Sequence, residues 1–283
     1  MTRAIAALAI GLALGATGAM SAGGQTKSPP AKVSLTRLDC GTSRGEWPIA
    51  AFSDTHAYDG KSKALTVSCY LIRHGDQAML WDLGFPAATA EGASSPVVVR
   101  ASIAAQLREL GIDPARVSRI GVSHYHDDHT GQAPDFPGAT LMIGAADWAA
   151  LTAKNIKPGF GAPNPAPVAH WITGGGKVDA VSGDRDVFGD GTVTMLDLPG
   201  HTPGHHALLV RLGSRNVLLS GDLAHFTENY VSNGVPAFNT NRADTLASLD
   251  RFKKIAENLK ATVIIQHEPA DVAKLPAFPR AAQ

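Results

Sequence analysis

The sequence predicts an α/β protein built as a four-layer αββα sandwich. Segments with strand patterns fall into two groups, and helical segments accompany each group on either side of a Pro/Gly-rich stretch at 157–176. The composition agrees, because 44% hydrophobic and 18% charged residues in a chain of 283 indicate a packed domain rather than a disordered one. We expect a single domain over residues 31–283.

The first group begins where apolar alternation starts a strand at Val33, which Gly41 is expected to end. Apolar residues then recur at helical spacing from Val97 to Leu110 and stop at Gly111, which predicts a helix with a glycine C-cap. The other elements predicted in this half are strands over 65–72, 78–83, 117–122 and 140–143 and a helix over 145–153.

The second group follows the Pro/Gly-rich stretch, which we expect to be an exposed loop of the lid type. A long loop from Asp222 to Asn241 leads into a helix from Arg242 to Leu259 whose apolar residues share one face. The strands predicted here cover 177–181, 192–198, 207–212, 216–220 and 262–265.

The charge balance argues against a polyanionic partner. Lys+Arg and Asp+Glu are equal at 25 each, so no overall field steers the chain to nucleic acid or to an anionic membrane. We therefore expect no nucleic-acid partner, whereas the charge balance says little about a small-molecule substrate.

The N-terminal residues have the layout of a secretory signal peptide. Arg3 precedes an apolar run from Ala4 to Met20, and small residues follow at Ser21 and Ala22. An N-terminal membrane anchor is the alternative, but the run is interrupted by glycine and is near the short limit for a spanning helix. We expect a signal peptide over residues 1–22, no stable membrane anchor, and a periplasmic or secreted protein.

The chain has two cysteines, Cys40 and Cys69, and neither has the spacing of a metal-binding pair. Export permits a disulfide between them, whereas the alternative is two small buried residues in neighbouring strands. Both alternatives stay open at this point.

A cluster of ionisable side chains follows the predicted strand at 117–122. His124, His126, Asp128 and His129 occur within six residues, a spacing that can direct imidazoles and a carboxylate to one point. These groups are the ligands that a zinc-like ion takes. A histidine-rich surface loop is the alternative.

Three further side chains of the same kind follow strands elsewhere in the chain. His201 comes after the strand at 192–198, Asp222 after the strand at 216–220, and His267 after the last strand. Loops at the carboxyl ends of strands are where sites assemble in α/β folds, so we expect these residues to meet.

These motifs together resemble the metallo-β-lactamase superfamily. The order HxHxDH from His124, GHTPGH around His201, SGD ending at Asp222 and a C-terminal His267 covers nearly all of the chain after the leader. The resemblance implies two divalent metal ions, most simply Zn²⁺. It implies that one ion is held by His124, His126 and His201, that the other is held by Asp128, His129 and His267, and that Asp222 bridges them.

The resemblance also implies a role for Asp82, which matches the Asp-x-Gly strand end that supports the metal loop. His205 corresponds to a position that supports the turn in the GHTPGH motif, so a structural hydrogen bond is expected there. Asp127 is expected to have no ligand role, and His56, His74 and His170 are expected to be surface or loop groups.

The implied reaction is hydrolysis of a carbonyl compound by hydroxide generated from water shared by two metals. Asp222 stands where metallo-β-lactamases proper usually carry Cys or Ser, and the segment from Asp222 to His267 most resembles the N-acyl-homoserine lactonases. The resemblance therefore implies opening of a lactone ring, with Asp128 relaying a proton to the leaving oxygen. The alternatives are β-lactam hydrolysis, a glyoxalase-II-like thioesterase, and a catalytically silent zinc-binding protein.

One position departs from the lactonase pattern. The lactonases place a Tyr three residues after the bridging Asp, where this chain has His225. An imidazole N–H can donate the same hydrogen bond to a developing oxyanion, and a plain loop histidine is the alternative. Five aromatic residues are candidates for the floor of an acyl-chain pocket or for ordinary loop packing: Trp47, Phe52, Phe226, Tyr230 and Phe238.

Overall fold

Two large β-sheets lie face to face in the structure, a computed structural model that describes residues 1–2, 31–87 and 95–283. The seven strands of the first sheet are, in spatial order, β6 (Val97–Val98), β1 (Val33–Ser43), β4 (Thr66–His74), β5 (Gln77–Trp81), β7 (Arg119–Gly121), β8 (Thr140–Gly144) and β9 (Val178–Val181). Strands β5, β7, β8 and β9 are parallel, whereas β6, β1, β4 and β5 pair antiparallel.

The second sheet has five strands and one parallel pair. In order they are β10 (Arg185–Asp186), β11 (Val193–Asp197), β12 (His206–Leu212), β13 (Arg215–Leu219) and β14 (Thr262–Ile264). Only β13 and β14 run parallel in this sheet. A small two-stranded sheet, β2 (Trp47–Pro48) with β3 (Ser62–Lys63), lies apart from both.

The described residues include seven α-helices. They are α1 (Ile103–Glu109), α2 (Asp127–Thr130), α3 (Ala145–Leu151), α4 (Ala169–Ile172), α5 (Thr227–Ser232), α6 (Arg242–Asn258) and α7 (Pro269–Val272). Helices α1, α3 and α4 pack on the outer face of the first sheet, and α6 packs on the outer face of the second. Ser102 caps α1 by accepting a hydrogen bond from Ala105 N, and Asn241 caps α6 by accepting one from Asp244 N, so both starts satisfy a free helical N–H.

Three apolar clusters separate the layers. The first lies between the outer face of the first sheet and its helices, and it includes Leu107 and Trp171. The second lies between the sheets and includes Trp81 and Val210. The third lies between the second sheet and α6, around Phe252. This succession is the predicted four-layer αββα sandwich.

Several predicted elements differ in detail from the observed ones. The predicted helix over 97–110 is wrong at its start, because Val97 and Val98 pair with Ser43 and Thr42 before the helix begins at Ile103. Strand β1 does not stop at Gly41 but continues to Ser43, with a register shift between Asp39 and Thr42. The predicted loops at 157–176 and 222–241 contain the short helices α4 and α5.

Two other expectations are resolved by packing. Cys40 and Cys69 form a disulfide between β1 and β4, in the first apolar cluster. His74 is not a surface group: it is buried, stacks on Phe188 and lies 2.7 Å from an oxygen of Asp190. That contact joins the turn after β4 to the hairpin of β10 and β11.

The predicted signal peptide, residues 1–22, lies outside the described residues apart from its first two. Within the described ranges, none of the helices combines the length and apolarity needed to cross a membrane.

Candidate metal centre

The site is built from loops at the carboxyl ends of strands. The segment from His124 to His129 follows β7, His201 follows β11, and Asp222 follows β13. His267 follows β14. One of these strands belongs to the first sheet and three belong to the second, and their carboxyl ends meet at one edge of the sandwich, so side chains far apart in sequence converge there.

The first cluster consists of three imidazoles and a carboxylate oxygen. His124 Nε2 lies 2.9 Å from His126 Nδ1 and 3.2 Å from His201 Nε2, and the last two atoms are 3.1 Å apart. Asp222 Oδ2 lies 3.4 Å from His201 Nε2 and 3.7 Å from His124 Nε2. The four ligand atoms therefore surround one point.

The second cluster uses the other oxygen of the same aspartate. Asp222 Oδ1 lies 2.9 Å from His267 Nε2 and 3.2 Å from His129 Nε2. Asp128 Oδ2 lies 3.6 Å from each of these two nitrogens. Asp222 therefore stands between the two clusters with one oxygen facing each.

These separations fit a metal ion in each cluster. Tetrahedral zinc with Zn–N bonds of 2.0–2.1 Å places neighbouring ligand atoms about 3.3 Å apart. His129 Nε2 is buried and has no hydrogen-bond partner among the described residues, as expected for an atom that binds a metal. Both clusters bring together groups that can hold an ion. Within the described residues, the ion pairs of Asp128 and Asp222 are with histidines and not with Lys or Arg.

The electrostatics of the first cluster also suit a cation. Burial lowers the pKa of His124 and His201 well below the usual value and also lowers the pKa of His126, so these rings are neutral and free to bind a metal. Burial raises the pKa of Asp222, but the neighbouring imidazoles, first that of His267, lower it well below its usual range. Asp222 is therefore a buried carboxylate surrounded by imidazole nitrogens.

Each ligating ring has a second hydrogen bond that orients it. His267 Nδ1 donates to Thr66 O at 2.8 Å, and His201 Nδ1 donates to Asn239 Oδ1 at 2.8 Å. His126 Nε2 donates to Gly161 O at 3.0 Å. Such partners fix the tautomer, so His267 and His201 present Nε2 to the site and His126 presents Nδ1.

Asp82 lies beneath the second cluster, where the resemblance places it. Its Oδ1 accepts a hydrogen bond of 2.6 Å from Ser123 N, and its Oδ2 lies 3.2 Å from His129 Nδ1. Gln266 Nε2 donates to the same Oδ2 at 2.6 Å. Asp82 thereby links the loop before His124 to the residue before His267.

His205 has the structural role expected for it. Its Nδ1 donates to Leu198 O at 3.0 Å, and its Nε2 accepts a hydrogen bond of 3.0 Å from Asp222 N. Burial lowers the pKa of His205 to about 3, so the ring is neutral and both bonds are possible together. His205 therefore holds the backbone of Asp222 against the end of β11.

A cavity of about 400 Å³ opens in front of the two clusters. Asp128, Asp222, His225 and His267 line its inner end. The apolar part of its wall is formed by Trp47, Phe52, Leu65, Val67, Phe85, Val97, Phe160 and Phe238. Of the aromatic candidates, Phe226 instead packs behind the wall with Tyr58, and Tyr230 packs on Phe252.

His225 lies at the boundary between the metal ligands and this wall. Its Nε2 is 3.1 Å from Asp222 Oδ2, and its ring packs edge-on against Phe52 at 4.8 Å. The Nδ1 atom is buried without a partner in the described part of the chain. His225 is therefore a site residue, and it is not one of the members of either ligand cluster.

Three groups that contact the site were not predicted: Gln266, Asn239 and the carbonyl of Gly161. The first two are polar residues whose partners lie far away in the chain, 184 residues for Gln266 and Asp82 and 38 for Asn239 and His201. Gly161 acts through its backbone. The position of Gln266 beside His267 at a strand end was the one available signal.

Comparison with known proteins agrees with this geometry. The family model of the metallo-β-lactamase superfamily matches residues 63–267, which include both ligand clusters. The chain belongs to the metallo-β-lactamase superfamily. Within the superfamily it is 34% identical over 192 residues to N-acyl homoserine lactonase AttM of Agrobacterium fabrum, covering 61% of this chain and 67% of that protein.

Two further superfamily members extend the comparison. N-acyl homoserine lactonase AiiA of Bacillus thuringiensis subsp. kurstaki is 26% identical over 233 residues, which are 78% of this chain and 88% of that protein. A crystal structure of a quorum-quenching N-acyl homoserine lactone lactonase superposes with a TM-score of 0.75 at 22% identity, covering 90% of this chain and 99% of that one. At that identity the structural match shows the fold.

Proposed function

We propose that this protein is a dinuclear metal hydrolase that opens the lactone ring of N-acyl homoserine lactones. The observation that carries the proposal is Asp222, which directs one oxygen to each of two ligand clusters at the inner end of an apolar cavity. Relatives named N-acyl homoserine lactonase support the lactone as the substrate class.

Seven residues would hold the ions. We assign His124, His126 and His201 to one ion, Asp128, His129 and His267 to the other, and Asp222 to both. Zinc is the ion we propose, because its preferred ligands and bond lengths suit imidazole and carboxylate at these separations. When bound, such a pair of ions supplies an activated water and polarises the carbonyl group that is attacked.

Asp128 and His225 act on the substrate itself. Asp128 is part exposed and lines the cavity, so its carboxylate can take a proton and return it to the alkoxide that leaves when the ring opens. His225 lines the same cavity beside Asp222, and we propose that its imidazole N–H donates a hydrogen bond to the developing oxyanion.

The shape and lining of the cavity suit the other half of the substrate. Its wall is largely apolar and aromatic, and the side chains of Phe52 and Phe238 pack together beside His225. An acyl chain buried along this wall would leave the lactone ring at the ligand clusters, because the clusters close the inner end.

Acid release from a panel of carbonyl compounds tests the proposal. We expect the zinc-loaded protein to turn over N-acyl homoserine lactones well above nitrocefin or a glutathione thioester. Asp222→Ser is the matched variant, because Ser stands at this position in other superfamily members, and we expect its lactone turnover to fall by at least about 100-fold. Lack of lactone turnover after loading with zinc, manganese, iron or cobalt would overturn the proposal.

Two substitutions of His225 separate its hydrogen bond from its packing. Phe keeps an aromatic ring without a donor, whereas Tyr supplies a hydroxyl donor. We expect H225F to lower kcat by about 10² to 10³ because a donor to the oxyanion is lost. H225Y is expected to retain more of kcat than H225F. Equal kcat in wild type and H225F would show that His225 is only a packing residue.

For location, we propose export to the periplasm or the medium with cleavage of residues 1–22. The support is the sequence pattern of the first 23 residues. N-terminal sequencing of the protein recovered from a periplasmic fraction is the test. An intact Met1 on cytoplasmic protein would overturn this proposal.

A further inference from the structure

Asp147 lies behind the first ligand cluster, in the first turn of α3, and its side chain is fully buried. Asp147 forms no ion pair with the other described residues, 31–87 and 95–283. A buried carboxyl group without a cation is costly unless hydrogen bonds satisfy it. The residue therefore needs an explanation that the metal ligands do not supply.

The hydrogen bonds of Asp147 come from two separate loops. Its Oδ2 accepts from Thr202 Oγ1 at 2.8 Å, and its Oδ1 accepts from Gly204 N at 2.7 Å. The backbone N–H of Tyr125 also interacts with this carboxylate. Two of the donors are direct neighbours of ligands: Tyr125 stands between His124 and His126, and Thr202 follows His201. The third, Gly204, belongs to the same turn as Thr202.

The backbones around Asp147 are in close contact as well. A Cβ atom on Gly204 would lie 2.5 Å from Asp147 N, and a Cβ on Gly144 would lie 1.9 Å from Gly204 O. The turn after His201 is therefore packed directly on the start of α3, because glycine at both positions leaves room for it. This contact leaves the loop little freedom to move relative to Asp147.

Asp147 thus joins the two segments that supply all three imidazoles of the first cluster. We propose that Asp147 is a positioning residue that fixes the spacing of His124, His126 and His201 and thereby the retention of the ion they hold. The inference rests on the metal centre of the proposed function and does not depend on which substrate is hydrolysed.

The protonation chemistry of the group supports a role based on hydrogen bonds. Burial raises the pKa of Asp147 to about 7, although the bonds from Thr202, Gly204 and Tyr125 oppose the rise. A carboxyl group that is partly protonated near neutral pH can still accept from Gly204 N, and its O–H can donate to the hydroxyl of Thr202. An amide can make the same two bonds, which makes Asn the conservative replacement.

Three variants test the separate hydrogen bonds of Asp147. D147A removes all the bonds and leaves donors of both loops unsatisfied. D147N keeps the shape and the bonds with Thr202 and Gly204, with its amide nitrogen donating to Thr202 Oγ1. T202V removes one bond and leaves Asp147 in place. D186A is the matched control, since Asp186 also accepts from two backbone N–H groups, those of Gly189 and Gly191, but lies in β10 of the second sheet.

The test is competition between zinc-loaded protein and a chromophoric chelator at pH 7.5. We expect D147A to release one zinc ion with an affinity about 10- to 100-fold lower than wild type, as for other groups that orient metal ligands. D147N is expected within about threefold of wild type, T202V between D147N and D147A, and D186A unchanged.

Wild-type affinity for both ions in folded D147A would overturn the inference. If D147A does not fold, as judged by circular dichroism, T202V decides, and wild-type zinc retention in T202V would overturn it. Protein that binds two zinc ions but opens no lactone would instead overturn the proposed function and leave the result for Asp147 standing.

Discussion

Individual polar side chains in this molecule act mainly by fixing other side chains. Asp82 shows this most clearly: its backbone has a positive φ of 56°, a conformation that few residues other than Gly, Asn and Asp adopt. That conformation turns the carboxylate toward Ser123 N, Gln266 and His129. One residue therefore aligns two of the loops that carry ligands.

At this scale the sequence indicated the candidate ligands more readily than the residues that orient them. His124, His201 and Asp222 were identifiable because side chains of metal-binding type follow strands, and the structure brings all seven predicted ligands together. Gln266 and Asp147 were not, because each is a single polar residue whose partners are remote in the chain. Only the fold makes their hydrogen bonds apparent.

Replacing Asp82 by Asn tests its supporting role. Asn tolerates the same positive φ, so the backbone is kept, but its NH₂ group would face the donors Gln266 Nε2 and His129 Nδ1. We expect D82N to lower zinc affinity by about 10- to 100-fold in chelator competition. D76N, in an exposed turn, is the control. Equal affinities of D82N and wild type would contradict the role of Asp82.

At the scale of elements, apolar periodicity located helices and strands, and local pairing set their ends. The segment from Val97 has apolar residues at helical spacing, yet its first two residues extend the sheet because Ser43 and Thr42 offer an unpaired edge. Ser102 then caps the helix. The spacing of apolar residues in one segment cannot reveal the free edge of another strand. The helix was therefore predicted to start too early.

Helix α6 illustrates an element that the pattern predicted well. Its buried face includes Leu249 and Phe252, which pack on the second sheet. We expect F252A to lower the free energy of unfolding in urea by about 3 to 5 kcal/mol, because a large cavity forms. K254A, on the exposed face, should change it by less than about 0.5 kcal/mol. Equal effects of the two substitutions would contradict this packing.

Asp190, in the hairpin of β10 and β11, should make the free energy of unfolding depend on pH in the acid range. Burial raises the pKa of Asp190, but hydrogen bonds from Thr192 and His74 outweigh it and lower that pKa to about 2. Because the folded-state pKa is depressed, the stabilisation is present above the unfolded pKa of about 4 and is lost as pH falls toward 2.

The matching measurement is urea unfolding of wild type and D190N. We expect wild type to be the more stable at pH 6 and the difference to shrink at pH 3. D186N, in the same hairpin but without a bond to His74, controls for a general loss of charge. A difference between wild type and D190N that is constant from pH 6 to pH 3 would contradict this assignment.

At the scale of the whole molecule, the two sheets and their helices bring distant loops to one edge of the sandwich. The layers were predictable because strand-rich groups lie on either side of a Pro/Gly-rich stretch, but the strand predicted at 177–181 was assigned to the wrong group, since β9 pairs with β8 in the first sheet. The loop that covers the site was less predictable. Gly161 and Phe160 belong to that Pro/Gly-rich stretch, and a segment without apolar periodicity does not indicate where it packs.

The disulfide is a second feature that only the assembled strands decide. Cys40 and Cys69 are separated by 29 residues, and linking them restricts the unfolded chain. We expect the C40A/C69A double variant to lose about 3 to 4 kcal/mol of unfolding free energy, by loop-closure entropy. Wild-type protein with its disulfide intact is the reference. Unchanged stability in the double variant would show that the link contributes nothing beyond packing.

The proposed reaction is opening of the lactone ring with chemistry that two metal ions, both held in part by Asp222, would supply. Its most direct test is lactone turnover measured while zinc is added stepwise to metal-free protein. We predict that turnover rises until two equivalents are bound and then stays constant, and that Asp222→Ser shows no such rise. Full turnover after one equivalent, or none after two, would contradict the account.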